Sequence, residues 1–262
     1  MADVKVSIVM STIDDRAELL ERSLWTYTKQ DYSPIEVIVV ADRPKSPRTK
    51  ELVEGYQHRL DVKYFEIGGP PGWRNGYGQN KGIYESTGDI LVITHPETMF
   101  NPNSVRATVE RLNGEHRKQA MLMWIPLTET MTEWLGEHSE WRENIPMLQQ
   151  LALGPLNKKL NARAKIVMSA VNIHRGDSAR TFWQSAAMMR KTWVDIGGFT
   201  LMNSWGSMDE DHLKRKKVLG IGTRVVRALS YHQYHPFGPK NNEFEVFEYS
   251  KPEDAIRELR WE

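Results

Sequence analysis

"VSIVMSTIDDRAELLERSLWTYTKQDYSPIEVIVVADRP", residues 6–44, decides how this chain folds. Two apolar runs rich in Val and Ile, over 4–10 and 35–41, have the composition of strands buried on both faces. Between them, residues 16–30 set Ala17, Leu20, Leu24 and Tyr27 on one helical stripe. Two such strands joined by a helix pair in parallel, because the crossover carries the chain back to its starting edge. The first strand gives way to Ser11, Thr12 and the acidic pair Asp14-Asp15, and the second to Asp42.

Working outward, the alternation continues. Residues 48–60 read as a helix, 61–67 as a strand, 75–87 as a helix ended by Gly88, and 90–94 as a strand. A short helix over 104–113 and a strand over 120–127 follow. The segment "GGPPGWRNGYGQN" (68–80) is a loop by its Gly and Pro content. Such a chain predicts an α/β fold, a mainly parallel sheet with helices on both faces, binding ligands at the carboxyl ends of its strands. Asp14, Asp42, His95 and Glu97 all fall there. Residues 128–180 are less regular and helical in part, and "QSAAMMR" (184–190) restarts the strand pattern.

With 262 residues the chain is long enough for one large domain, and 40% hydrophobic with 26% charged residues reads as globular. A formal net charge of +1 gives no mandate for nucleic acid or an anionic membrane. The absence of Cys excludes a disulfide framework, a thiolate zinc site and a Cys nucleophile. No stretch approaches a membrane span and no basic-then-apolar leader opens the chain, so the expected location is cytoplasmic.

Three segments carry chemistry. In "ILVITHPETMF" (90–100) a buried strand stops at His95-Pro96-Glu97 and delivers an imidazole and a carboxylate to its end. In "SWGSMDEDHLKRKKVLG" (204–220) a helix beginning near Met208 sets Asp209, Glu210 and Asp211 at its positive end. That is either dipole matching or a carboxylate offered to a cleft as general base. In "YHQYHP" (231–236), His232 and His235 stand three apart after a strand-like run. Imidazole with carboxylate and no thiolate suits Mn²⁺ or another divalent ion bound partly through phosphate oxygens.

In this order the segments resemble glycosyltransferase family 2, nucleotide-sugar enzymes of the GT-A fold. The opening stretch is similar to that family's first strand, helix and second strand. "GQNKGIYESTGDILVITHPE" (78–97) resembles its Arg-Asn-x-Gly-Ile helix and the strand ending in Asp-x-Asp. "SAAMMRKTWVDIGGF" (185–199) is similar to the strand, helix and Gly-Gly-Phe turn before the acceptor site, and "MDEDHLKR" (208–215) to the Glu-Asp-x-Asp-Leu-x-x-Arg helix.

The resemblance implies a single GT-A domain over 1–262, with a nucleotide-sugar-binding half (1–127) and an acceptor-binding, catalytic half (128–262). It implies an inverting, Mn²⁺- or Mg²⁺-dependent transfer from a nucleotide sugar, a UDP-sugar first, to a hydroxyl of a glycan, protein or modified nucleobase. Asp209 is then the general base, with Asp211 in the catalytic group. Thr12, Asp14, Asp42, Arg74, Gln79, Asn80 and His95 are implied on the donor side, and Trp205 and Glu210 on the acceptor side. Glu97, with His95 in place of the first Asp, is implied as metal ligand, and His232 or His235 as the later ligand. Gln79 stands where the family has Arg, and Met208 where it has Glu. Two other readings stay open: a nucleotidyltransferase, although "STIDDR" (11–16) lacks the basic Gly-rich loop it would want, and a non-catalytic sugar- or nucleotide-binding protein.

Overall fold

The computed structural model describes residues 4–68, 75–153, 185–201 and 207–235. Its frame is an eight-stranded sheet of order β3-β2-β1-β4-β7-β6-β8-β5. The strands are β1 (Val6–Thr12), β2 (Ile35–Asp42), β3 (Asp61–Ile67), β4 (Ile90–Thr94), β5 (Thr98–Phe100), β6 (Lys118–Pro126), β7 (Ser185–Met189) and β8 (Gly222–His232). Strands β1 to β4 are parallel, as the crossover units require, and β6 and β8 are parallel to each other. Strand β7 runs antiparallel between β4 and β6, and β5 antiparallel along the end of β8. The sheet is thus mixed and mainly parallel.

The helices are α1 (Ala17–Tyr27), α2 (Arg48–Tyr56), α3 (Asn75–Glu85), α4 (Ser104–Leu112), α5 (Glu129–Glu137), α6 (Glu140–Glu143), α7 (Ile145–Leu153), α8 (Arg190–Asp195) and α9 (Ser207–Val218). Because strand side chains alternate, β1 sends Ile8 and Met10 to one face and Val9 to the other. The first face meets Leu20 and Leu24 of α1, Val53 of α2 and Val105 of α4. The second meets Ile83 of α3, Trp193 of α8 and Met208 of α9. Each fully buried Leu or Ile here is worth roughly 1.5–3 kcal/mol of burial. A third cluster, with Trp25, Met99, Trp141 and Tyr231, seats α5, α6 and α7 against the β5–β8 edge.

Contacts of backbone closeness fix α3. A Cβ on Gly78 would lie 2.1 Å from the Ser11 hydroxyl, and one on Gly82 would lie 2.3 Å from a Val9 methyl. Glycine at these two positions lets the helix press against β1. Among the described residues, no helix is long and apolar enough to cross a membrane.

Two features escaped the pattern in the sequence. Strand β5 has only three residues and no alternation to read. Strand β8 runs on to His232, beyond its strand-like core, because its last residues pair on two sides: His232 lies opposite Thr98 of β5 and Pro126 of β6.

Candidate metal and donor site

Strand β4 ends at Thr94, and the chain turns back through His95-Pro96-Glu97 into β5. The Thr98 N–H closes this turn on the His95 carbonyl at 3.0 Å. The Tyr27 hydroxyl, buried under α1, donates to the Thr98 carbonyl at 2.7 Å and holds the turn from below. Since β5 then runs back along β8, Glu97 arrives beside the segment that carries both late histidines.

There the side chains converge. Glu97 Oε1 lies 3.3 Å from His232 Nε2 and 3.1 Å from His235 Nε2. One ligand atom from each of the three residues falls within 4.8 Å of the others. The second oxygen, Oε2, meets Arg16 at 2.9 Å. Burial alone would push the Glu97 carboxyl up. Hydrogen bonds from His232 and His235, with the charges of His95 and Arg16, outweigh it and hold the group well below the usual carboxylate range. Glu97 is therefore an ionised carboxylate in a buried place. His232 is steadied by the edge of the Trp124 ring, 5.8 Å between centroids, and its carbonyl accepts the Leu127 N–H at 2.8 Å.

One carboxylate oxygen and two imidazole nitrogens make a donor set that fits a divalent transition ion better than Mg²⁺, which favours oxygen. His95 lies outside the group of three and reaches Glu97 through its charge.

Of the residues expected on the donor side, Thr12, Asp14, Asp42 and His95 stand at or just past the carboxyl ends of β1, β2 and β4, and Gln79 and Asn80 on α3. Asp14 accepts the main-chain N–H groups of Lys45 (2.5 Å) and Ser46 (2.8 Å), tying the loop after β1 to the loop after β2. Asp42 is buried and paired with Arg43 through both oxygens, at 2.8 and 3.1 Å. Thr12 is buried and donates to the Ile13 carbonyl. Gln79 donates to the Thr94 carbonyl at 3.2 Å, at the end of β4. The Asn80 amide is engaged at both ends by the main chain of Phe199, donating at 2.9 Å and accepting at 2.8 Å. Its observed task is to fasten α3 to the turn before α9.

Asp211, expected among the catalytic group in a supporting place, is a buried ion-pair partner. Its carboxylate is 1% exposed, pairs with Arg215 (Nε 2.9 Å, the terminal nitrogen 2.8 Å) and accepts the Thr200 hydroxyl. Arg215 in turn donates to the carbonyls of Ile196 and Gly198 at 2.6 and 2.8 Å. A carboxylate so enclosed holds the turn ahead of α9. Asp209 and Glu210 lie in the first turn of α9, and Arg74 and Trp205 lie outside the described residues.

Two residues that reading the sequence passed over complete the site. Arg16 was hidden in an acidic-looking "STIDDR", and Gln233 stands between the histidines as an unremarked polar residue. Both contact Glu97. The spacing His-x-x-His was the only signal available for Gln233, since a residue between two candidate ligands shares their placement.

A family model described as "Glycosyl transferase family 2" matches residues 7–206. The chain belongs to glycosyl transferase family 2. The match takes in Glu97, while α9 and β8 follow its end. An uncharacterized glycosyltransferase of Methanocaldococcus jannaschii is 20% identical over 120 residues, covering 46% of this family 2 chain and 41% of the relative. TarS 1–349 of S. aureus, solved in complex with UDP-GlcNAc, superposes with a TM-score of 0.61 at 13% identity, over 89% of this chain and 60% of that one. The mannosyltransferase PcManGT of Pyrobaculum calidifontis, in complex with GDP-Man and Mn²⁺, gives 0.58 at 15%, over 88% and 57%. At these identities the likeness establishes the GT-A fold. This family 2 chain spans well under two thirds of each of these relatives.

Proposed function

We propose that this protein is an inverting, metal-dependent glycosyltransferase that moves a sugar from a nucleotide sugar, a UDP-sugar in the first instance, to an acceptor hydroxyl. One observation carries the reading: a carboxylate and two imidazoles converge at the carboxyl edge of a GT-A sheet, at Glu97, His232 and His235. These three residues would hold a divalent ion, Mn²⁺ by preference. When bound, such an ion neutralises the charge that develops on a departing diphosphate.

The chain's own residues do the rest. Thr12, Asp14, Asp42, Gln79 and His95 line the donor side, with Asn80 fastening α3 beneath it, and Arg74 serves the donor as well. Asp209, in the first turn of α9, takes the proton from the acceptor hydroxyl. The freed oxygen attacks the anomeric carbon, the bond from that carbon to the diphosphate oxygen breaks on the opposite face, and the configuration inverts. Trp205 and Glu210 orient the acceptor, which is a hydroxyl-bearing glycan, protein or modified nucleobase. Asp211 supports Asp209 by fixing the helix through Arg215 and Thr200.

UDP-GlcNAc and GDP-Man in the two structural neighbours make the base a choice to be measured. Isothermal titration with UDP and with GDP, each with and without Mn²⁺, on the wild type and Glu97→Ala, decides it. Mn²⁺-dependent UDP binding that is lost in the variant supports the reading. Binding of neither nucleotide with any metal overturns it.

A further inference from the structure

We propose that Arg16 is a positioning residue that makes Glu97 a one-oxygen metal ligand. The inference rests on the metal-site reading above and adds a determinant of how the ion is held. The two oxygens of Glu97 have different surroundings. Oε1 faces both imidazoles at 3.3 and 3.1 Å, and Oε2 faces the Arg16 guanidinium at 2.9 Å. The pair is well shielded, with the Arg16 side chain 15% exposed and that of Glu97 4%. Among the described residues Arg16 has no comparable ion pair elsewhere: its contact with Asp15 is 3.9 Å long and reaches a carboxylate that is 75% exposed. Its main chain is anchored too, because the Arg16 N–H donates to the Ile13 carbonyl at 3.0 Å, at the junction between the Asp14–Arg16 turn and α1.

A carboxylate with both oxygens free can chelate a cation through both, whereas a short, shielded ion pair on one oxygen, here a charge contact without a hydrogen bond, favours binding through the other. Groups that contact a ligand from behind set its orientation and its affinity. Arg16 thus reserves one more coordination position for oxygens that come from outside the protein, either water or phosphate. It also sets a fixed positive charge beside the place where an anionic donor must sit. Replacing it with an uncharged side chain frees Oε2 to turn toward the ion.

The test uses Mn²⁺ as the probe on the full chain. Electron paramagnetic resonance in ¹⁷O-enriched water counts the exchangeable waters on the protein-bound ion in the wild type, Arg16→Met, Arg16→Lys and a surface control, Arg48→Met. We expect one water fewer in Arg16→Met, and the wild-type count in Arg16→Lys and Arg48→Met. If Arg16→Met does not fold, Arg16→Gln carries the same expectation. An unchanged count in the uncharged variant overturns the positioning role and leaves the metal site standing. A wild type that holds no Mn²⁺ overturns the metal-site reading itself, and this inference with it.

Discussion

The main-chain carbonyl of Glu97 accepts two hydrogen bonds from Gln233, one from the main-chain N–H at 3.0 Å and one from the side-chain amide at 3.2 Å. The same amide reaches the Leu19 carbonyl at 2.9 Å, and its oxygen accepts from the buried Arg22 at 2.5 Å. A single side chain therefore joins α1, the turn after β4 and the end of β8. Gln233→Leu should weaken Mn²⁺ binding roughly 10–100-fold, the usual effect of losing a group that orients ligands. Titration calorimetry reads this directly, and unchanged affinity would show that strand pairing alone places the histidines.

If the three ligands hold an ion only in the folded state, the ion must stabilise the fold. Mn²⁺ at about 100 times its Kd should add about 2.7 kcal/mol. A melting curve should show that gain in the wild type and not in Glu97→Ala or the His232→Ala/His235→Ala double variant. A chelator should reverse it.

Glu36 provides a stability probe far from the site. It is fully buried and is bonded by Ser7 (2.6 Å), Lys63 (2.8 Å) and the Thr87 N–H (2.5 Å), with Lys5 at 3.0 Å. Burial pushes its carboxyl up. The bonds from Lys63, Ser7, Thr87 and Lys5 overcome this and hold it far below the ordinary range. Its contribution is therefore complete above the unfolded value of about 4.3 and falls away as the pH drops below it. Glu36→Gln should cost about 3 kcal/mol at pH 7. In urea titrations, that deficit should shrink as the pH is lowered through the acid range.

Lys216 should show a slope of the same sign, in the basic range. Its ammonium is buried against Gln119 and Thr223, and burial pushes its pKa down to about 8. Between that value and the unfolded one of about 10.4, the unfolded chain binds the extra proton, so stability contributed by this group rises with pH. The rise should amount to about 3 kcal/mol relative to Lys216→Met. Taking the difference matters, because burial raises the hydroxyls of Tyr27, Tyr56, Tyr64 and Tyr231 and these favour unfolding in base in both proteins. A flat difference between pH 8 and 10.5 would refute the buried-cation account.

The close approach of α3 to β1 invites a compensating pair. Gly78→Ala drives a methyl into the Ser11 side chain and should cost about 1–3 kcal/mol. Adding Ser11→Gly should recover most of it. Independent, additive losses in denaturant melts would place the strain elsewhere.

The sheet was legible wherever side chains alternate or run apolar, which is why β1 to β4 and their crossover helices follow the pattern in the sequence. The direction of β7 was not: "SAAMM" (185–189) is small and apolar, and nothing in such a strand records which way its neighbours run. At the site, Glu97 and the two histidines were visible as residue types that end strands. Their meeting depended on β5, three residues without period, pairing with β8. The ion pair of Asp211 was not legible, because an acid at a helix start looks the same whether it faces a cleft or a buried Arg215 four residues on. Arg16 and Gln233 act through contacts 81 and 136 residues away along the chain, and no local pattern encodes those.

The order β4-β7-β6-β8 interleaves the chain's two halves. Strand β6, encoded before residue 127, is walled off from β4 by β7, which is encoded after it. A chimera joined at residue 127 would therefore not exchange a detachable module. It would pull β7 out from between two strands of the recipient and take β8, with both histidines, away from Glu97. Any exchange of segments in this scaffold should therefore leave β7 and β8 in place between and beside the strands they pair with.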